Sequence, residues 1–496
     1  MGEEAPAATV SAAATASSPP HLLFICFPGQ GHINPMLRLA KRIAAKGLLV
    51  TFSTTSSAGA KLVSSSAGGV SAGGNGVPLG RGRIRFEFLD DEFDGKEIDA
   101  LMHHLETAGP PAFESLLRRQ AAAGRPVACV VGNPFIPWAV DVAAAAGIPA
   151  AVLWVQSCAV FSLYYHAVHG LVVFPPEDDL AATFKLPGLP AMSVADVPSF
   201  LLPSNPFKSL TDAIVRQIRE IGKARWVFVN SFMELERDAV DALAGGEVSP
   251  PPPPLIPVGP LIELDDGEDE TTAVRGDMIK AADDCIGWLD SHPPRSVVYA
   301  SLGSVVVLDA GEVAEMAHGL AATGRPFLWV VRPDSRELLP DGFLDGGAED
   351  GHVTAAARGR GLVVGWSPQE RVLAHTSVAV FLTHCGWNST LETMAAGVPV
   401  VAFPQWGDQC TDAKFLVDEL AMGVRLRRAP SLRRDDVRGA VDAAVSGPRA
   451  GDMLASAAAW SAACRAAVAA GGSSDRHVEA FVEEVIALQA KPLVEE

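Results

Sequence analysis

The chain predicts an α/β protein built from two doubly wound, Rossmann-like domains. Short apolar runs rich in β-branched residues alternate with helix-period segments over most of its length, the pattern of βαβ units with parallel strands. At 496 residues it is too long for one core and suits two domains of roughly 200 residues each. A linker-like stretch, Ser249 to Gly276, divides the halves with five prolines (Pro250 to Pro254), Gly259-Pro260 and the acidic run Asp265 to Glu270. The expected layout is a disordered tail at 1–18, an N-terminal domain at 19–252, a linker at 253–276 and a C-terminal domain at 277–496. The last helix of the chain is placed to pack back on the N-terminal domain.

The first half opens with the strand His21 to Phe27 and the loop Pro28 to Ile33. Asn34-Pro35 reads as a helix start, a capping side chain followed by a proline whose missing N–H costs nothing in a first turn. Met36, Leu37, Leu39, Ala40 and Ile43 give that helix an apolar face, Gly47 ends it, and Leu48 to Ser53 is the next strand. Ser64 to Gly82, rich in Gly and Ser, predicts a mobile loop. Between Asp141 and Glu177 there is no Asp, Glu, Lys or Arg, a run longer than the roughly 20 residues of a membrane span. Gly147 and Pro149 break it, however. An Ala-rich helix, a Gly-Ile-Pro turn, the strand Ala151 to Val155 and a second helix explain it better than a span. In the second half Ser296 to Ser301 is a strand and Gly303-Ser304 a turn at its carboxyl end. Asp309, with Glu312 three residues on, caps a helix that Gly324 closes before the strand Phe327 to Val331.

The most informative block runs from Trp366 to Gln409, beginning WSPQERVLAHTSVAVFLTHCGWNST and ending FPQWGDQ. Ser377 to Thr383 is a buried strand, His384-Cys385-Gly386 a tight turn, and Asn388-Ser389 the start of a helix that Gly397 terminates in the left-handed conformation before the strand Val398 to Phe403. Ligands bind at the carboxyl ends of such strands, where a helix start offers unpaired N–H groups and a positive dipole end. A diphosphate there meets backbone donors, a hydroxyl and the imidazole of His384. Trp366 can stack on a base, Gln369 and Glu392 can bond a ribose, and Asp408 with Gln409 can bond sugar hydroxyls. Each feature alone is commonplace; their joint occurrence at this spacing points to a nucleotide-sugar.

Bulk properties narrow the partners. A formal charge of −19 argues against a nucleic-acid surface, which needs clustered Lys and Arg. Seven cysteines without a Cys-x-x-Cys fit reduced thiols in the cytoplasm. The first residues carry Glu3 and Glu4 where a secretory signal has basic residues. No Asp-x-Asp occurs, and His103-His104 and His166/His169 lack partners at ligand spacing, so no metal is indicated. A monomer is expected.

The Trp366–Gln409 block resembles, without a gap, the C-terminal signature box of plant family 1 UDP-sugar glycosyltransferases, and the similarity extends over most of the chain. The resemblance implies the GT-B fold, two facing Rossmann-like domains with an interdomain cleft, UDP-sugar in the C-terminal domain and acceptor in the N-terminal one. It implies that Trp366 stacks on uracil with the backbone of Ser367 at its edge, and that Gln369 and Glu392 hold the ribose. His384, Asn388 and Ser389 would hold the diphosphate, with Ser304 facing the same region, and Trp387, Asp408 and Gln409 the sugar. The final Gln accompanies glucose in this family, so UDP-glucose is the implied co-substrate, with no metal or other cofactor.

The loop Gly29 to Asn34 has Gly-x-Gly but Asn34 where a dinucleotide fingerprint needs a third glycine, which disfavours a nicotinamide oxidoreductase. His32, two residues before the expected helix start, should be neutral there and matches the family's base. Its usual Asp partner is replaced by Asn133, which can accept a hydrogen bond from the ring N–H but cannot stabilise an imidazolium. A weaker base matters for a phenol with a pKa of about 10 and hardly for a carboxylic acid near 4, which arrives ionised. The words NPFIPW, LWVQSCA and FPQWGDQCTDAKFLVD also resemble the branch that forms glucose esters of hydroxycinnamic and hydroxybenzoic acids. The expected function is therefore inverting transfer of glucose to a small aromatic acid, with Trp138, Gln156, Ser157 and Phe200 as candidate acceptor contacts. The alternatives are O-glucosylation of flavonoid, phenol or hormone hydroxyls, and a nucleotide-sugar sensor, which would be expected to lose the His32 loop.

Overall fold

The computed structural model describes residues 19–65, 71–93, 95, 97–245, 248–263, 274, 276, 278, 284–303, 308–344, 353–357, 359–428 and 430–490. The expected tail at 1–18, most of the acidic end of the expected linker and Ser304 lie outside them. The N-terminal strands are β1 (His21–Ile25), β2 (Leu49–Ser53), β3 (Val77–Leu79), β4 (Gly82–Phe86), β5 (Val127–Gly132) and β6 (Ala150–Trp154). A short hairpin, β7 (Thr183–Phe184) with β8 (Met192–Ser193), precedes β9 (Trp226–Val229) and β10 (Leu255–Pro257). They form an eight-stranded sheet in the order β10-β9-β6-β5-β1-β2-β4-β3, parallel except for β3. The C-terminal strands are β11 (Val297–Ser301), β12 (Phe327–Val330), β13 (Val353–Ala356), β14 (Gly361–Val364), β15 (Val378–Thr383), β16 (Val400–Ala402) and β17 (Gly423–Arg425). Their order is β13-β14-β12-β11-β15-β16-β17, parallel except for β13.

Central parallel strands bury both faces, which is why they read as continuous apolar runs and not as alternations. On one face of the first sheet Leu23, Ile25, Val130 and Val152 pack with Phe113 and Phe161; on the other Leu22, Phe24 and Val131 pack with Met36, Leu39 and Ile43. The second sheet likewise has Val298, Ala300 and Val380 facing one core and Tyr299 and Phe381 another.

Three sequence expectations change. The helix expected from Asn34-Pro35 begins earlier, spanning Gln30–Ala45 with Gly29 as an extended N-cap. His32 therefore lies inside the first turn, and Pro35 sits within the helix. The Gly29 carbonyl, accepting from the N–H groups of His32 and Ile33 at 2.9 Å, starts the helix where a side-chain cap was expected. Within the expected mobile loop, β3 pairs with β4, and within the expected linker β10 extends the sheet beside β9. Both are short edge strands whose pairing partner, not their own composition, decides their state.

The C-terminal helix Ser473–Ala490 returns to the first domain, where Val478, Phe481, Val482 and Val485 enter the core behind β9. The Phe481 ring meets Trp226 at 5.1 Å and Phe228 at 4.8 Å, and Trp226 donates to Glu484 at 2.8 Å. Among the described residues Ala450–Gln489 is long and apolar enough by composition to cross a membrane. Its two helices, Ala450–Val468 and Ser473–Ala490, pack here against protein, the first on the helix Trp387–Ala396. Phe481→Ala should lower the unfolding free energy by about 3–5 kcal/mol, the usual cost of emptying an aromatic site. Denaturant titration checks this, and a loss below about 1 kcal/mol would mean the helix is not anchored as described.

Candidate active site

In an open α/β sheet the crevice opens where strand order reverses, because loops on either side of that point diverge. The first sheet reverses at β1, between β5 and β2, and the second at β11, between β12 and β15. After β1 come the N-cap Gly29 and the helix turn that carries His32, and the loop after β5 carries Asn133 to Pro137, so residues 101 positions apart meet at one switch point. The second sheet similarly joins Gly303 after β11 to the His384-Cys385-Gly386 turn after β15. The two crevices share one cleft, lined from one side by His32, Gln156 and Phe200 and from the other by Trp366, Ser367, Gln369, His384, Trp387, Asn388, Ser389, Glu392, Asp408 and Gln409.

The C-terminal side is a connected polar network. Tyr299 hydroxyl lies 2.9 Å from Ser367 Oγ and donates to Gln369 Oε1 at 3.1 Å, while Gln369 Nε2 donates to Ser389 Oγ at 2.8 Å and Glu392 Oε2 at 2.6 Å. Cys385, in the left-handed region at φ 65°, turns the chain into the helix Trp387–Ala396, whose C-cap Gly397 is left-handed as its sequence suggests. His384 is packed so tightly that a Cβ on Gly303 or Gly386 would stand 2.7 or 2.6 Å from its Nε2. Burial lowers its pKa to about 4, and its Nδ1 is buried without a partner in the protein. The ring is thus an uncharged group beside a helix start, whose free N–H groups suit an anionic oxygen.

At the far end, Gln409 Oε1 accepts from the N–H groups of Gln405 at 2.9 Å and Trp406 at 3.3 Å, so only its amide NH2 is left to offer. Burial pushes the Asp408 carboxyl above its ordinary range, opposed by hydrogen bonds that include the Trp387 N–H. Trp387 differs from expectation. Its indole N–H is already spent on the Asn230 carbonyl at 2.6 Å and its ring is buried among Cys385, Leu391 and Phe232, so it has no indole N–H to offer the sugar.

The two domains clasp across the site. Pro35 has no N–H for the Gly31 carbonyl four residues back, and that carbonyl accepts from Asn388 Nδ2 at 2.8 Å. Ser199 and Gly407 exchange two bonds, Gly407 N–H to Ser199 Oγ at 2.7 Å and Ser199 N–H to Gly407 carbonyl at 2.9 Å. That clasp seats Phe200 and Phe207 on Trp406, with ring centroids 5.6 and 5.3 Å away. His32 lies 4.9 Å from Phe27 and 5.3 Å from Phe135, and burial pushes its pKa down to about 3.

Two of the four acceptor candidates are displaced. Trp138 is buried, packed on Phe113 and above Gly109, where a Cβ would meet its ring at 2.5 Å. Ser157 is the buried N-cap of the helix Cys158–Val168, accepting from Val160 N–H. Tertiary packing commits both to the interior, Trp138 against Gly109 and Phe113 and Ser157 toward Asp412 Oδ1 at 3.5 Å, and neither lines the cleft. Phe27, Phe135, Phe207, Trp406 and Tyr299 line it unanticipated. For Phe135 a signal exists only in the backbone: its φ of 74° is a strained position for a bulky side chain, and such strain gathers at functional sites. Asn133 is buried behind His32 and bonds it, but not as expected: it faces His32 Nδ1 with its nitrogen, at 3.1 Å, because its oxygen takes the Phe27 N–H at 3.0 Å.

Comparison with known proteins places this geometry. Residues 282–454 match the UDP-glucoronosyl and UDP-glucosyl transferase family. The chain is 45% identical over 480 residues to gallate 1-beta-glucosyltransferase of Quercus robur, covering 94% of this chain and 89% of that one. It is 44% identical over 490 residues to cinnamate beta-D-glucosyltransferase of Fragaria ananassa, covering 95% and 83%. The structure of Os79 from O. sativa in complex with UDP superposes with a TM-score of 0.80 at 30% identity, over 94% of this chain and all of that one. The fold is GT-B, and the chain belongs to the UDP-glycosyltransferase family, an enzyme family with UDP-sugar as co-substrate.

Gly303 is at φ 76°, and an added Cβ would be strained as well as crowd His384. Gly303→Ala should weaken UDP binding at least about tenfold, or about 1.4 kcal/mol, by calorimetry. An unchanged Kd in a folded variant would mean that the His384 packing is irrelevant to the nucleotide.

Proposed function

We propose that this chain transfers glucose from UDP-glucose to a small aromatic carboxylic acid, giving a 1-O-β-glucose ester and UDP in one inverting displacement. The observation that carries the reading is the continuity of the cleft: an aromatic pocket runs into a nucleotide-binding network, with His32 at the junction. The names of the relatives point to gallate and cinnamate, both planar aromatic acids that Phe27, Phe135, Phe200, Phe207 and Trp406 suit.

In this reading residues 19–252 bind the acceptor and 277–496 the donor. Trp366 and Ser367 hold uracil, Gln369 and Glu392 the ribose, and His384, Asn388, Ser389 and Ser304 the diphosphate. Asp408 supplies acceptors and Gln409 donors for the glucose hydroxyls, with Trp387 beside them. The acid arrives ionised, so its oxygen is the nucleophile. Catalysis then consists of holding it in line with C1 and stabilising charge on the departing UDP through helix N–H groups and the His384 ring. The cytoplasm suits seven unpaired cysteines, and the reading takes the chain as a monomer with no membrane span and no nucleic-acid partner.

A mass-spectrometric screen of UDP-sugars against acids and phenols should yield alkali-labile hexosides of aromatic acids; alkali-stable glycosides of hydroxyls alone would overturn the acceptor. Gln409→His, which removes both the NH2 donor and the cap on Gln405 and Trp406, should lower the glucose-to-galactose transfer ratio at least about fivefold, roughly 1 kcal/mol. A ratio unmoved by that change would count against the sugar assignment.

A further inference from the structure

The amide of Asn133 has a fixed orientation. The Phe27 backbone N–H can only donate, so the amide atom 3.0 Å from it is the oxygen. The other end, Nδ2, can likewise only donate, and it stands 3.1 Å from His32 Nδ1 and 3.5 Å from Cys26 Sγ. His32 Nδ1 therefore presents its lone pair. The ring is neutral at working pH, its pKa pushed down to about 3 by burial against Phe27 and Phe135. A neutral imidazole carries one proton, and with Nδ1 accepting, that proton is on Nε2, the nitrogen left for the cleft.

We infer that His32 serves in this chain as a hydrogen-bond donor that positions an ionised carboxylate, its tautomer set by Asn133, and not as a base for a hydroxyl. This rests on the proposed transfer to acids and deepens it. With its proton on Nε2, the ring has no lone pair to offer a phenol but has an N–H for an anion. The surroundings give that N–H its importance. Among the described residues lining the cleft the cations are Arg38 and Arg371; Arg38 is held by Glu370 and the Leu261 carbonyl, each at 2.9 Å, and Arg371 sits on the donor-side helix Gln369–Ala374. The transfer balances without any proton moving. A carboxylate lone pair forms the bond to C1, the bond from C1 to the β-phosphate oxygen breaks with its electron pair leaving on UDP, and the Nε2 proton stays on His32.

An aspartate at 133 would still take the Phe27 N–H on one oxygen, but its other oxygen would accept from Nδ1–H, moving the lone pair to Nε2. Two measurements test this on the full chain. In 15N NMR of histidine-labelled protein, with the His32 signals identified by their loss in a His32→Gln variant, Nδ1 should be unprotonated and Nε2 protonated at neutral pH; a protonated Nδ1 overturns the inference. In Asn133→Asp, the ratio of kcat/KM for cinnamate to that for a phenol without a carboxyl should fall at least about tenfold, with the NMR pattern reversed. A preserved ratio overturns it too. The failures are distinguishable: wild-type enzyme that makes esters while Nδ1 is protonated refutes only the tautomer, whereas enzyme that glucosylates no acid removes the proposed function with it.

Discussion

A carbonyl that its own helix cannot satisfy joins the halves of this protein. Pro35 leaves the Gly31 oxygen without its intrahelical donor, and the Asn388 amide from the other domain takes that place at 2.8 Å. The Gly31 carbonyl is exposed and open to water, so the bond does not rescue a buried polar group; it ties the start of one helix to the start of the other across the domain boundary. Trp387 and Asn230, and the Ser199–Gly407 pair, extend the same principle along the cleft. The starts of the helices Gln30–Ala45 and Trp387–Ala396, one carrying His32 and the other following His384, are thereby held against each other.

Around that junction two histidines share an electrostatic state and differ in their partners. Burial holds both His32 and His384 neutral. His384 has its Nδ1 buried without a partner in the protein and lies beside the start of the helix Trp387–Ala396, whose N–H groups suit a leaving phosphate. His32 receives an N–H on its Nδ1 from Asn133, which directs its own proton outward. One added proton-donor contact, 3.1 Å long, thus separates two otherwise similar rings into different chemical roles.

The aromatic pocket follows from how the domains meet. Phe200 and Phe207 come from the N-terminal domain and Trp406 from the C-terminal one, and the Ser199–Gly407 exchange sets their spacing. The N-terminal domain supplies Phe27, Phe135, Phe200 and Phe207 and the C-terminal domain adds Trp406, so the aromatic lining is completed only where the two domains meet.

Local signals in the chain determined the elements whose physics is local. The apolar runs of β1, β11 and β15, the Asp309 cap, the Gly397 terminator and the strand-turn-helix order of the Trp366–Gln409 block were all legible, because short-range propensity and the strand-to-helix turn fix them. Edge strands β3 and β10 were hidden, since pairing decides them, and the early start at Gln30 was hidden because Asn34-Pro35 looks like a helix start while the carbonyl that Pro35 frees is taken by Asn388 from the other domain. Which way Trp138 and Ser157 face, the spending of the Trp387 N–H, the approach of Trp406 and the polarity of the Asn133–His32 bond were decided by tertiary structure. Each depends on a group far away in the chain, and a hydrogen bond has a direction that residue identity alone does not carry.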